Sequence, residues 1–266
     1  LIAEGYDAFL FDLDGVLYRG SDPVPHAAAS VARLRELGKR VAFVTNNSAR
    51  TPSKVTERLR SVGVEADELE VETSALATAS VLANRGVRQA FVIGGSGIIE
   101  GLGQAGIEVL AGEPAGVDVV VVGWDRDADY TKLRVASVLV ERGAALVATN
   151  ADASFPAADG TKWPGAGALL AAIETTTGVR GEVIGKPYPP LLHTALERAG
   201  GGRPLLIGDR LDTDIAGAIG VGWDSMLVLT GISTAPEAHT SSTPPTYIAA
   251  DLRELFADGI ERPGAP

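Results

Sequence analysis

Short runs of β-branched and aromatic residues alternate along the chain with stretches in which apolar residues recur every three or four positions. The runs predict buried strands at Ala8–Asp12, Val41–Thr45, Ala90–Ile93, Asp118–Val122, Ala145–Thr149, Leu205–Gly208 and Met226–Thr230. Helices are predicted over Ala27–Leu37, ended by Gly38 as a left-handed terminator, and from Pro52, with Thr51 as cap and Val55, Leu59 and Val62 on one face. Lys132–Arg142, Gly167–Thr176 and Pro190–Ala199 carry the same helical period. Strand and helix taking turns in this way predicts an α/β protein with a largely parallel sheet. There is no internal repeat, and the tail after Phe256 is expected to fray.

Composition narrows the function classes. With 266 residues the chain has room for one large domain or two modest ones. Its net charge of -11, with no Lys/Arg cluster, argues against a nucleic-acid partner. Apolar stretches such as Val117–Trp124 are far shorter than the ~20 residues a membrane-crossing helix needs. Glu4 and Asp7 interrupt the opening where a signal peptide would be apolar, so a cytoplasmic protein is expected. The absence of cysteine removes disulfides, thiol nucleophiles and thiolate metal sites.

Four segments carry chemistry. In Phe9-Leu10-Phe11-Asp12-Leu13-Asp14-Gly15 an apolar strand runs into two acids, where an open parallel sheet presents its ligands. On an extended strand, acids two apart point the same way and need a cation or a shared proton between them; a surface turn is the plain alternative. Val41-Ala42-Phe43-Val44-Thr45-Asn46-Asn47-Ser48 opens into hydroxyl and amide groups that suit phosphate oxygens, or else an Asx-type turn. Val183-Ile184-Gly185-Lys186-Pro187 places one lysine straight after an apolar run. Leu205-Leu206-Ile207-Gly208-Asp209-Arg210-Leu211-Asp212-Thr213-Asp214 ends in an acid-rich loop whose oxygen-only donors fit Mg²⁺, with N-capping as the expected role of Asp212.

Together, and in this order, the four segments resemble the motifs of the haloacid dehalogenase (HAD) superfamily. The forms Thr45-Asn46-Asn47, Gly185-Lys186-Pro187 and Gly208-Asp209-Arg210-Leu211-Asp212-Thr213-Asp214 are similar to its NagD / para-nitrophenyl phosphatase branch. The resemblance implies an α/β fold with a Rossmann-like parallel-sheet core and an inserted α/β cap domain of the large-cap class. It also implies a Mg²⁺-dependent phosphatase that works through an aspartyl-phosphate. By the same resemblance Asp12 is the nucleophile, Asp14 the acid and base, and Lys186 a catalytic and phosphoryl-binding cation. Thr45, Asn46, Asn47, Asn150 and Asp152 bind substrate, and Asp12, Asp14 (through its main-chain carbonyl), Asp209 and Asp214 serve the metal. A proton donor at Asp14 suits an alkoxide leaving group and favours a phosphatase over a dehalogenase.

Spacing locates the cap. Only 31 residues separate Asp14 from Thr45, too few for a lid, whereas 141 separate Thr45 from Lys186. The expected division is core 1–78, cap 79–180 and core 181–266. In the cap, Asn150-Ala151-Asp152 resembles the branch's Asn-x-Asp substrate loop, and Phe155, where some vitamin-phosphate phosphatases carry histidine, weakens a pyridoxal-phosphate reading. Phe155 and Trp163 are candidates to face the leaving group. The implied partner is a small phosphorylated metabolite such as glycerol 3-phosphate or phosphoglycolate, with a homodimer through the cap as a further expectation. The competing readings are a phosphotransferase or mutase and a non-catalytic phosphometabolite-binding protein.

Three features are read as decoys. Gly101-Leu102-Gly103-Gln104-Ala105-Gly106 matches a dinucleotide fingerprint, but it is placed to close a helix rather than open one. Asp125 and Asp127 are expected in a solvated loop, and His26, His193 and His239 lack metal-ligand spacing.

Overall fold

The computed structural model describes residues 1–156, 161–258 and 263. The chain divides into two compact units. Unit 1 comprises Leu1–Thr45, Ser53–Glu72 and Lys186–Pro266, and unit 2 comprises Asn46–Pro52 and Thr73–Gly185. The expected boundary at 78/79 would cut the helix Ser74–Asn84, which packs against Ser96–Gln104 and goes as one piece into unit 2.

Unit 1 is built on a six-stranded sheet in the order Tyr247–Ala249, Asp224–Val228, Pro204–Gly208, Ala8–Phe11, Arg40–Thr45, Val71–Thr73. The pairings among the first five strands are parallel. Alternate side chains leave opposite faces of a strand, and both faces here are buried. Phe9, Phe11, Val41, Phe43, Leu205, Ile207, Met226 and Val228 form one core with Val31, Leu34, Val55 and Leu59 of two helices. Leu10, Ala42, Val44, Leu206 and Leu227, on the alternate positions, are equally buried. This two-sided burial explains why the strands read as unbroken apolar runs.

The first strand lies inside the sheet, with its chain successor on one side and a strand some two hundred residues later on the other. That reversal of strand order makes a switch point at the carboxyl end of Ala8–Phe11, the place where doubly wound sheets bind ligands.

Unit 2 has its own parallel five-stranded sheet, in the order Glu182–Val183, Ala145–Ala148, Val119–Val122, Gln89–Ile93, Glu108–Val109. Phe91, Ile93, Val120, Val122, Leu139, Leu146 and Ile173 fill its core. The antiparallel hairpin Ser154–Pro156 with Lys162–Pro164 follows the Asn150 loop. Among the described residues no helix is long and apolar enough to cross a membrane.

Several expectations shift. The strand expected at Met226–Thr230 runs over Asp224–Val228, because Thr230 leaves the sheet to hydrogen-bond Gly15. The first strand ends at Phe11, so the period-two argument does not extend to Asp14. Gly101 and Gly103 lie within Ser96–Gln104 and Gly106 follows it, so the fingerprint does close a helix. Asp125 is not solvated: its side chain is 5% exposed and pairs with Lys132 at 2.8 Å. The expected fraying after Phe256 falls largely on residues outside the described ones.

Candidate active site

Strand register assembles the site in unit 1. Phe11 pairs with both Phe43 and Ile207, so Asp12 leaves the sheet between the strands that end in Thr45 and Gly208. The Asp12 N–H still donates to the Ile207 carbonyl at 2.8 Å, which fixes where its side chain starts. Asp209 follows the neighbouring strand directly, and Asp214 sits in the π-helical turn Leu211–Ile215, where its Oδ2 accepts from the Arg210 N–H at 3.2 Å. Asp212 does not cap this turn; it takes a two-point contact from Arg210 at 3.0 and 2.7 Å.

Lys186 joins these acids. Its buried Nζ lies 2.5 Å from Asp12 Oδ1 and 2.7 Å from Asp214 Oδ1, and it donates to the Val44 carbonyl at 3.3 Å. Burial alone would lower its pKa, but Asp12 and Asp214 outweigh that and push it above the usual lysine range, so it is an ammonium.

Asp12, Asp209 and Asp214 each offer a carboxylate oxygen, all within 4.8 Å of one another. One ammonium balances only one of three carboxylates. Desolvation together with the neighbouring acids therefore raises Asp12 well above the carboxylate range, against the pull of Lys186. Asp209 is pushed up to about 6, chiefly by burial and then by Asp214, with the Ile232 N–H at 2.9 Å opposing. Asp214 Oδ1 is buried and pairs with Lys186. An excess of buried negative charge and oxygen-only donors together fit a hard dication such as Mg²⁺.

Three glycines make room for this cluster. A Cβ on Gly208 would lie 2.2 Å from Asp214 Cγ, one on Gly15 2.3 Å from Asp209 Oδ2, and one on Gly231 1.9 Å from the same oxygen. Gly15 also has φ +80°, a left-handed conformation only glycine adopts without strain. Asp14, just before it, is exposed, and its carboxylate is not part of the three-acid group. Gly231 and Thr230 were not singled out in the sequence; a glycine straight after a hydroxyl residue at a strand end was the available signal.

Thr45 ends its strand, buried at 7% exposure, in unit 1. Asn46, Asn47, Asn150 and Asp152 belong to unit 2, where hydrogen bonds link Asn46, Asn150 and Asp152. Asn47 Oδ1 accepts from the Ala49 N–H at 3.0 Å, the Asx-type turn. Both ends of the Asn150 amide are engaged: Nδ2 donates to the Asn46 carbonyl at 2.8 Å and Oδ1 accepts from the Asp152 N–H at 3.1 Å. Ser74 Oγ donates to the same Asn46 carbonyl at 2.7 Å. Asn150 thus braces its neighbours, a role its sequence context did not reveal. The Trp163 ring carries the Arg126 guanidinium 5.0 Å from its centroid, while the side chain of Phe155 lies outside what the structure describes.

Comparison with known proteins places this chain among relatives. Residues 9–108 match the haloacid dehalogenase-like hydrolase family, and residues 183–255 match the HAD-hydrolase-like family. The chain is 40% identical over 256 residues to an acid sugar phosphatase of Staphylococcus aureus, covering 95% of this chain and 98% of that protein. The glycerol phosphate phosphatase of Mycobacterium tuberculosis, solved in complex with magnesium, superposes with a TM-score of 0.91 at 35% identity, covering 97% of this chain and 79% of that one. NagD from Escherichia coli K-12 gives 0.87 at 29% identity, over 93% and 97% of the two chains.

Proposed function

The chain is a phosphoric monoester hydrolase of the haloacid dehalogenase-like family, in its NagD-like branch, and we propose that its substrate is a small polyol or sugar phosphate whose phosphoryl group is captured on Asp12. The observation that carries this reading is the cluster in which Lys186 reaches both Asp12 and Asp214 while Asp209 closes the acid set. Relatives named acid sugar phosphatase and glycerol phosphate phosphatase support this substrate class.

In the reaction, an Asp12 carboxylate oxygen attacks phosphorus as the bond to the leaving oxygen breaks. Asp14 gives its proton to that oxygen, so a free alcohol departs and the phosphoryl group stays on Asp12. Asp14, now a carboxylate, takes a proton from water; the hydroxide attacks phosphorus, and the Asp12–phosphorus bond breaks to release phosphate. Two easier steps replace one hard displacement. Lys186 fixes Asp12 in line and balances part of the charge that gathers on the phosphoryl oxygens. Thr45, at the end of its strand in the same unit, binds those oxygens through a neutral donor. Asp12, Asp209, Asp214 and the Asp14 carbonyl serve Mg²⁺, which when bound screens the repulsion between carboxylate and phosphate dianion.

A phosphate-release screen with Mg²⁺ over glycerol 3-phosphate, phosphoglycolate, hexose and pentose phosphates and nucleotides tests the reading. Highest kcat/KM on a polyol or sugar phosphate is expected. Preference for nucleotides, or no release from any member, contradicts it.

A further inference from the structure

Ser233 and Asp214 hold the same two peptide groups from opposite ends. The first peptide joins Asp209 to Arg210: its carbonyl accepts from the Ser233 N–H at 3.0 Å, and its N–H donates to Asp214 Oδ2 at 3.2 Å. The second joins Arg210 to Leu211: its N–H donates to Ser233 Oγ at 3.1 Å, and its carbonyl accepts from the Asp214 N–H at 3.1 Å. Leu211 opens the π-helical turn, so its N–H has no acceptor within that turn. Arg210, in the capping position, has no side-chain acceptor to offer it. Ser233, 22 positions further along the chain, supplies one. Ile232, just before it, donates its N–H to Asp209 Oδ2 at 2.9 Å.

We propose that Ser233 is a positioning residue for the divalent cation: its hydroxyl fixes the Arg210–Leu211 peptide, and through that peptide the placing of the Asp214 carboxylate relative to Asp209. The inference rests on the assignment of these two acids to the metal. Mg²⁺ takes its oxygens in near-ideal octahedral geometry at about 2.0–2.1 Å, so a small shift of one carboxylate against another weakens its hold. Without the hydroxyl, the Leu211 N–H loses its acceptor and its peptide is free to turn. The carbonyl of that peptide receives the Asp214 N–H, and the peptide before it receives Asp214 Oδ2, so the turn is passed to Asp214. Asp209 keeps its own bonds, because the Ile232 and Ser233 donors are main-chain groups that the substitution leaves in place. The expected effect is therefore a weaker site rather than a lost one.

The test uses Ser233→Ala, which deletes the hydroxyl, and Ser233→Thr, which keeps it. Thr234→Ala is the control: the neighbouring Thr234 hydroxyl donates to Glu237 at 2.8 Å, at the start of the helix Ala235–Thr240, and its loss removes no bond to either peptide. Mg²⁺ binding is read by calorimetry on the whole chain, and folding by melting in EDTA. Ser233→Ala is expected to bind Mg²⁺ about 10–100-fold more weakly, as when a group that orients a metal ligand is lost. Ser233→Thr is expected to regain the wild-type affinity, and Thr234→Ala to melt lower with its Mg²⁺ affinity unchanged. Unchanged affinity in Ser233→Ala overturns the proposal. Equal weakening in Thr234→Ala also overturns it, as does a Ser233→Ala chain that fails to fold while Ser233→Thr folds. Asp209→Asn is run alongside. If Asp209→Asn loses Mg²⁺ and Ser233→Ala keeps its full affinity, only this inference fails; if Asp209→Asn binds Mg²⁺ as well as the wild type, the metal assignment itself fails.

Discussion

Lys186 Nζ stands 2.5 Å from Asp12 Oδ1, although 174 positions separate the two in the chain. The lysine is buried, its second carboxylate contact is Asp214, and no other ammonium joins the acid cluster among the contacts described. Replacing Lys186 by methionine keeps the length and removes the charge. The expected result is a fall in kcat of about 10²–10³-fold, the magnitude seen when one electrostatic stabiliser is lost. Steady-state phosphate release checks it; a loss under tenfold would contradict the role given to Lys186.

Asp209 gives a pH dependence with a definite sign. Its folded pKa, about 6, exceeds its ordinary 3.8, so between those values the folded chain holds a proton that the unfolded chain has released. Stability from this group is present at low pH and declines as pH rises through that window. Mg²⁺ needs the ionised form, so its stabilisation should grow as pH passes about 6. Melting curves with and without Mg²⁺ should show a clear upward shift near pH 7.5 and little near pH 5, values on either side of that titration. An equal shift at both contradicts the metal role of Asp209.

Gly231→Ala places a methyl 1.9 Å from Asp209 Oδ2. Gly231 is exposed, so the chain can move there, at a cost of about 1–3 kcal/mol. The larger effect is expected on Asp209: Mg²⁺ affinity weakened roughly 10–100-fold, as when a group that orients a metal ligand is lost. Calorimetric titration checks this against urea unfolding, and unchanged affinity would show that Asp209 does not depend on this contact.

Glu72 tests stability apart from the acid cluster. Burial pushes its pKa up despite Arg198, whose Nε is 2.5 Å away. Arg198→Ala strands the carboxylate and should destabilise the fold by roughly 2–4 kcal/mol, allowing for the partial exposure of Arg198. The double change Glu72→Gln, Arg198→Ala should recover part of that loss in urea titration, because no buried charge remains. A double variant as unstable as the single one would contradict this.

The seven long strands were legible because burial on both faces leaves them as unbroken apolar runs, and each predicted strand lies within two residues of an observed one. Val71–Thr73 and Tyr247–Ala249 were not, since three residues carry no period. The convergence of Asp12, Lys186, Asp209 and Asp214 was foreshadowed by acids and a lysine at the ends of apolar runs, where a parallel sheet gathers distant segments at one edge. What the sequence concealed are bonds made by ordinary residues: Thr230 to Gly15, Ile232 to Asp209, Asn150 to Asn46. Each couples positions about a hundred apart or more, or a main-chain donor to an acid, and no local pattern marks such a pair. Asp125 misled for a related reason, because its partner Lys132 lies a turn into the following helix.

The central claim is covalent capture on one side chain, and the most direct measurement is acid quench of a single turnover followed by borohydride reduction and peptide mapping. Reduction is predicted to mark residue 12 alone, in proportion to the intermediate present at the quench, with no mark in Asp12→Asn, which should also lack turnover. A mark at another position, or undiminished phosphate release by the asparagine variant, would contradict the account.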